Sequence, residues 1–262
     1  MHLASLDTDV SRTVGYVEHA SPVIRSMDKY IYRRIGGNAT IFLLLAFNGL
    51  VTLISMLTYI PRHPELAILR VLFFRYATIW NVIILLMYSA LGFVCDFSIV
   101  QREENKVPSK IRELRYKVFH QLVFPCCVGI FFTFWPLYCI DRELIFPSIN
   151  DTIISKLQNI IVHGFTLLYV CWEMAFLPNI LRKKEVNVLP IIMVNTAYFI
   201  NVLYTKYVEP GIWLYAILEH IEGGIPILLL FFFWIVLPIL TFHAQWTVKN
   251  VLYRIRDYYL EV

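Results

Sequence analysis

Long runs of uncharged, apolar residues alternate along this chain with short polar and basic stretches, the pattern of membrane-crossing helices. A helix rising 1.5 Å per residue needs roughly 20 residues to cross a hydrocarbon layer of about 30 Å. Residues 41–60, 76–95 and 119–140 supply such runs without a charge and are stopped by Pro61, Asp96 and Asp141. A fourth run, 157–177, contains His163 and Glu173; a fifth covers 186–205; a sixth covers 225–242. Pro125, Pro136, Pro190 and Pro238 fall inside these runs, where neighbouring helices can satisfy the carbonyls they free. The pattern predicts an all-α, polytopic membrane bundle of six transmembrane helices over residues 38–262, preceded by a cytosolic N-terminal tail at residues 1–37.

Composition agrees: of 262 residues 58% are hydrophobic and 16% charged, and the mean hydropathy is +0.63, a balance that does not suit a water-facing surface. The net charge of +4 is spread through short clusters and carries no nucleic-acid footprint, so no nucleic-acid partner is expected. Lys and Arg number 5 before the first run, 6 between the second and third, 3 between the fourth and fifth and 3 after the sixth, against 3, 2 and 1 in the other loops. By the positive-inside rule both termini are cytosolic. The sequon at Asn150 then faces the opposite side, and the one at Asn38 stays in the cytosol. The five cysteines lie in or beside apolar runs without a CxxC pair, and the seven histidines lack metal-binding spacing. Neither metal nor any other cofactor is expected.

An ionisable side chain inside an apolar run is a functional candidate, and His163 is such a residue. With the N-terminus inside, the second and fourth runs both enter from the outer face. Thr78 then lies roughly 5 Å and His163 roughly 10 Å below that face, so a hydroxyl and an imidazole share a depth. Together they have the makings of a nucleophile and its base. Taken singly, each also has a structural reading: Thr78 as a back-bonding helix residue, His163 as an interhelical contact. Asn81, three residues from Thr78, is a candidate to orient the base or an oxyanion. Asp141, Arg142, Glu143, Glu219 and His220 gather at the same boundary as candidate pocket-mouth residues, or as interfacial anchors. Glu173, near the cytosolic end of its run, is expected to reach for water.

The stretch from Phe134, Trp135 and Pro136 through Tyr138, Asp141, Arg142, Glu143, Ile145 and Pro147 resembles a segment of the androgen-induced gene 1, or FAR-17a, family. Asn159 and His163 with Glu173 and Met174, and Trp213 and Tyr215 with Glu219 and His220, resemble further segments, and Thr78 and Asp96 keep the family's separation. The resemblance implies a multi-pass membrane hydrolase with Thr78 as nucleophile and His163 as base, cleaving fatty acid esters of hydroxy fatty acids drawn from the bilayer. Asn81 stands where relatives carry Asp. The competing expectation is a non-catalytic six-span protein of the lipid-binding, receptor or transporter type. Either way the chain reads as an integral protein of the endoplasmic reticulum or plasma membrane; its oligomeric state is left open.

Overall fold

A computed structural model of the chain describes residues 30–101, 106–178 and 183–260, and regular structure among these is entirely helical. The long helices are α1 (Ile31–Tyr59), α2 (Ala77–Val100), α3 (Ser109–Ile140), α4 (Lys156–Phe176), α5 (Leu189–Tyr207) and α6 (Ile225–Leu260). Five of them, all but α5, are long and apolar enough to cross a membrane. The expected fifth run does fold as a helix, but at 19 residues it carries Asn195, Asn201, Thr205 and Lys206. Part of that polarity is spent on neighbours: Asn201 Nδ2 donates to the Arg75 carbonyl (2.9 Å) and Thr205 Oγ1 accepts from the Arg75 guanidinium (3.1 Å).

Several helices outrun their apolar stretches. α1 begins at Ile31, so residues 31–37 of the expected tail are its first two turns; residues 1–29 lie outside the described part. α3 begins ten residues before the apolar run, because the basic segment Ser109–Val118 is an amphipathic helix that continues into it. α6 runs on to Leu260 after a turn in which Gly223 adopts φ +70°, a left-handed conformation that costs glycine little. α4 starts at a capping box in which Ser155 and Gln158 satisfy each other's backbone amides.

Large apolar side chains such as Leu43, Phe47, Met87, Leu168 and Leu228 point outward, as lipid-facing residues do, while the interior divides into two main clusters. One, around Leu45, Leu85, Tyr88, Phe119, Val170 and Met174, joins α1 to α4 and α6. The other, around Tyr198, Val202, Leu214, Leu218 and Trp234, gathers α5 and α6 under a cap. The cap is built from the α1–α2, α3–α4 and α5–α6 connections, held together where Arg75 Nη1 donates to the Glu209 carbonyl and where Ile60, Leu66 and Ile153 pack. α1 and α2 pack tightly at Gly92, where an added Cβ would stand 2.5 Å from Asn38 Oδ1.

Beyond the clusters, at the end away from the cap, four helices are tied by buried charges. Arg34 Nη2 pairs with Asp96 Oδ1 (2.9 Å), Arg115 Nη1 with Asp96 Oδ2 (2.9 Å), and Arg115 Nη2 with Glu173 Oε1 (2.7 Å). Tyr88 donates its hydroxyl to the same Glu173 oxygen at 2.7 Å. This corrects the reading of Glu173 as a residue reaching for water: its exposure is 0%. A carboxylate in the last turn of an apolar helix can be buried because Arg115, carried by the basic extension of α3, meets it inside.

Candidate functional site

α2 begins under the cap at Tyr76, whose extended backbone turns the chain into the helix, and Thr78 is its second residue. First-turn amides of a helix have no intrahelical acceptor, and here the Ala77 N–H is taken by the Tyr198 hydroxyl at 3.0 Å. That hydroxyl is 2.7 Å from the hydroxyl of Tyr215, so two tyrosines from α5 and the α5–α6 connection brace the start of α2.

Facing it, α4 widens into a π-helical turn at Ile161–Phe165, and His163 sits at its centre. Such turns insert an extra residue and recur at functional sites. Trp135 Nε1 donates to the His163 carbonyl (3.1 Å), and the Phe134 ring lies flat on the imidazole, centroids 3.6 Å apart and planes 7° from parallel. The result is a buried imidazole whose Nε2 stands 3.4 Å from Thr78 Oγ1. That is a long, weak hydrogen bond. Nδ1 has no hydrogen-bond partner among the described residues, so the ring is oriented by stacking and by its helix, not by a carboxylate.

Two cavities meet at this pair. The first, about 560 Å³, runs between α3 and α6 along Ile130, Leu137, Leu230 and Trp234. The second, about 970 Å³, opens between α1, α2 and α4, where Asn48, Thr52, Asn150 and Asn159 join its apolar wall. Thr78, Phe134, Ile145, His163 and Tyr215 belong to both.

The other candidates are placed elsewhere. Asn81 turns away from the pair into a third cavity, where its Oδ1 accepts a weak hydrogen bond from Cys127 Sγ at 3.4 Å. Three residues along a helix correspond to a 60° rotation from Thr78, enough to aim the amide at α3 instead of α4. Asp141 caps its own turn by accepting from the Glu143 N–H (3.0 Å), Glu143 accepts from the Ser148 N–H (3.0 Å), and Arg142 pairs with Asp151 (2.8 Å). Glu219 accepts from the Trp213 N–H (2.9 Å) and pairs with Lys206 (3.3 Å), and His220 Nδ1 lies 2.9 Å from the Ala216 carbonyl. The Trp213 amide and then the Lys206 ammonium hold the Glu219 carboxyl below its usual value. These five residues fold the cap, and none of them lines either cavity at the pair. The sequence reading missed Tyr198, Tyr215, Asn48 and Thr52; of these only Tyr215 stood in a segment already singled out.

Fold and site together define a polytopic helical membrane protein with a buried threonine–histidine pair where two largely apolar cavities join. The model of the family described as FAR-17a/AIG1-like protein matches residues 41–249, and the chain belongs to that family. It is similar to the androgen-dependent TFPI-regulating proteins of Mesocricetus auratus (28% identical over 150 residues, 56% of this chain and 63% of the relative) and Homo sapiens (26% over 149 residues, 56% and 64%). It also resembles the androgen-induced gene 1 protein of Homo sapiens, 28% identical over 123 residues, 47% of this chain and 51% of the relative. The matched stretch thus spans less than two thirds of each of these relatives. No solved structure matches the chain.

Proposed function

We propose that the protein is a membrane-embedded threonine hydrolase that cleaves fatty acid esters of hydroxy fatty acids, in a six-span arrangement with both termini cytosolic. The observation that carries this reading is the 3.4 Å approach of Thr78 Oγ1 to His163 Nε2 where two apolar cavities meet. Thr78 Oγ attacks the ester carbonyl carbon while His163 Nε2 takes the hydroxyl proton. The tetrahedral adduct collapses by breaking the bond to the alcohol oxygen, which leaves with the proton from His163. Water entering under the cap then attacks the acyl-Thr, again giving its proton to His163, and the fatty acid departs as that proton returns to Thr78 Oγ. The oxyanion forms at the N-terminal end of α2, where the helix dipole favours negative charge and the Tyr215 hydroxyl lies in the cavity wall.

The test is hydrolysis of a panel of branched fatty acid esters by the purified protein, alongside labelling by a serine-hydrolase-type activity probe. Thr78→Ala and His163→Ala are expected to fall to background with expression intact, and Thr78→Ser to keep part of the rate because its hydroxyl survives. The probe is expected to label the wild type and to miss Thr78→Ala. Near-normal turnover in either alanine variant removes the pair from the mechanism. Lipid binding without turnover would instead favour the non-catalytic reading, which His163 Nδ1 supports by having no hydrogen-bond partner among the described residues.

A further inference from the structure

The hydrogen bonds that brace the start of α2 have a direction. The Ala77 N–H donates to the Tyr198 hydroxyl (3.0 Å), which lies 2.7 Å from the hydroxyl of Tyr215. A phenol offers one proton and accepts through its oxygen. The Tyr198 oxygen already accepts from Ala77, and the residue is 2% exposed, its ring packed against Trp80 and Trp234 with centroids 5.3 and 4.4 Å away. Among the described residues its proton has one acceptor within reach, the Tyr215 oxygen. Reversing that bond would strand the Tyr198 proton against apolar rings, which buried hydroxyls avoid. The order is therefore Ala77 to Tyr198 to Tyr215, and the Tyr215 proton is left over.

The Tyr215 ring is held in place by Trp234, stacked on it at 6.3 Å and 19°, and by Tyr76, which meets it edge-on at 6.1 Å. It lines both cavities where they meet at Thr78 and His163. Thr133, another hydroxyl in the wall of the first cavity, is spent on the Gly129 carbonyl (2.8 Å). We infer that Tyr215 is the hydrogen-bond donor to the oxyanion formed when Thr78 attacks, and that Tyr198, from α5, is the positioning residue that turns its proton outward. This rests on the hydrolase reading of the pair. As the bond from Thr78 Oγ to the carbonyl carbon forms, the carbonyl electron pair moves onto its oxygen and the threonine proton passes to His163. The Tyr215 proton stays on the phenol, and its hydrogen bond to the carbonyl oxygen strengthens as charge builds there. The relay adds to this effect, because a hydroxyl that accepts a hydrogen bond donates a stronger one, and the first donor is an amide at the positive end of the α2 dipole. A helix too polar for a plain lipid-facing span thus carries a side chain that acts on the chemistry through its neighbour.

Two ligands of one chain length test this with the full-length protein in detergent micelles. A palmityl trifluoromethyl ketone adds a hydroxyl nucleophile to its carbonyl and holds a negative oxygen; a palmityl methyl ether binds without forming one. Tyr215→Phe is expected to weaken the ketone by roughly 10²–10³-fold, the usual cost of one oxyanion donor, and to leave the dissociation constant of the ether within about twofold. Tyr198→Phe is expected to weaken the ketone by a smaller factor, since Tyr215 keeps its proton but not its direction. The double variant is expected to match Tyr215→Phe alone, because Tyr198 acts only through Tyr215. Dissociation constants do not depend on how much of each variant folds, so a lowered yield does not obscure the result. Equal weakening of ketone and ether in Tyr215→Phe, or an unchanged ketone affinity, overturns the donor role; losses that multiply in the double variant overturn the relay. A wild type that holds the ketone no more tightly than Thr78→Ala does disproves the nucleophile itself, and the inference falls with it.

Discussion

Replacing Glu173 by glutamine leaves its shape nearly intact but removes one negative charge from a lattice that is otherwise shut away from water. Arg115 then keeps only Asp96, which it shares with Arg34, and a buried guanidinium is left half compensated. Breaking a buried pair from one side costs about 3–5 kcal/mol; glutamine still offers an oxygen to Tyr88 and Arg115, which places the loss near about 3 kcal/mol. For a chain of this size each kcal/mol moves the midpoint by roughly 2–4 °C, so thermal unfolding in micelles, followed by tryptophan fluorescence, is expected to drop by roughly 6–12 °C. Arg115→Met alone is expected to cost a similar amount by stranding Glu173. Combining the two leaves Arg34 and Asp96 as a balanced pair, so the double variant is expected to lose at least about 2 kcal/mol less than the sum of the singles. Asp96 lies 18 residues, roughly 27 Å, along α2 from Thr78, so turnover per folded molecule is expected to stay at the wild-type level below the new midpoint. Additive losses would refute the reasoning, because they would mean that Arg115 and Glu173 do not depend on one another.

Phe134→Ala removes the ring stacked on His163 and is expected to lower kcat by roughly tenfold or more through a misplaced imidazole, with Phe134→Tyr restoring most of it; kinetics on one ester with all three forms decides this. Gly92→Leu drives a side chain into Asn38, breaks its 2.8 Å hydrogen bond from Tyr169, and is expected to cost about 1–3 kcal/mol by overpacking, measured as a lowered midpoint in micelles. Glu219 has a folded-state pKa below its unfolded one, so its contribution to the cap is fully present above the unfolded carboxylate value and is lost as pH falls through the depressed one. The Trp213 fluorescence of the wild type is accordingly expected to hold steady at pH 5 and to change only in stronger acid, whereas Glu219→Gln shows no such transition.

Much of the architecture is written in hydropathy, because a bilayer imposes one length on every crossing and a run such as 119–140 leaves little room for another reading. Helix ends were less legible. The apolar run marks where oil is met, not where hydrogen bonding stops, and the basic turn before Phe119 continues as helix because its Arg115 finds carboxylates inside the bundle. α5 shows the opposite limit: residues 186–205 were read simply as a fifth apolar run, and only the fold reveals that Asn201 ties the helix to the α1–α2 connection. Thr78 and His163 were expected to share a depth, and the structure brings their side chains to 3.4 Å of each other. Asn81 was misplaced because a shared helix face tolerates 60° of error, and a hydrogen bond does not. Tyr198 was invisible for a different reason: its partner atoms are a backbone amide 121 residues away and another tyrosine, contacts that follow only from tertiary structure.

The π-helical turn at Ile161–Phe165 has a genetic corollary. An ordinary helix joining Ser155 to Thr166 would need one residue fewer, and losing it would turn the side chains inside the bulge by about 100° around the axis while the flanking turns keep their faces. Aim is thus stored as a count rather than as an identity. A chain shortened by a single codon in this stretch would keep its cap at Ser155 and its packed half from Thr166 onward, fold normally, and present some other side chain to Thr78. Among homologous chains, the spacing between that serine and the histidine therefore decides whether the imidazole meets the threonine as much as the two residues themselves do.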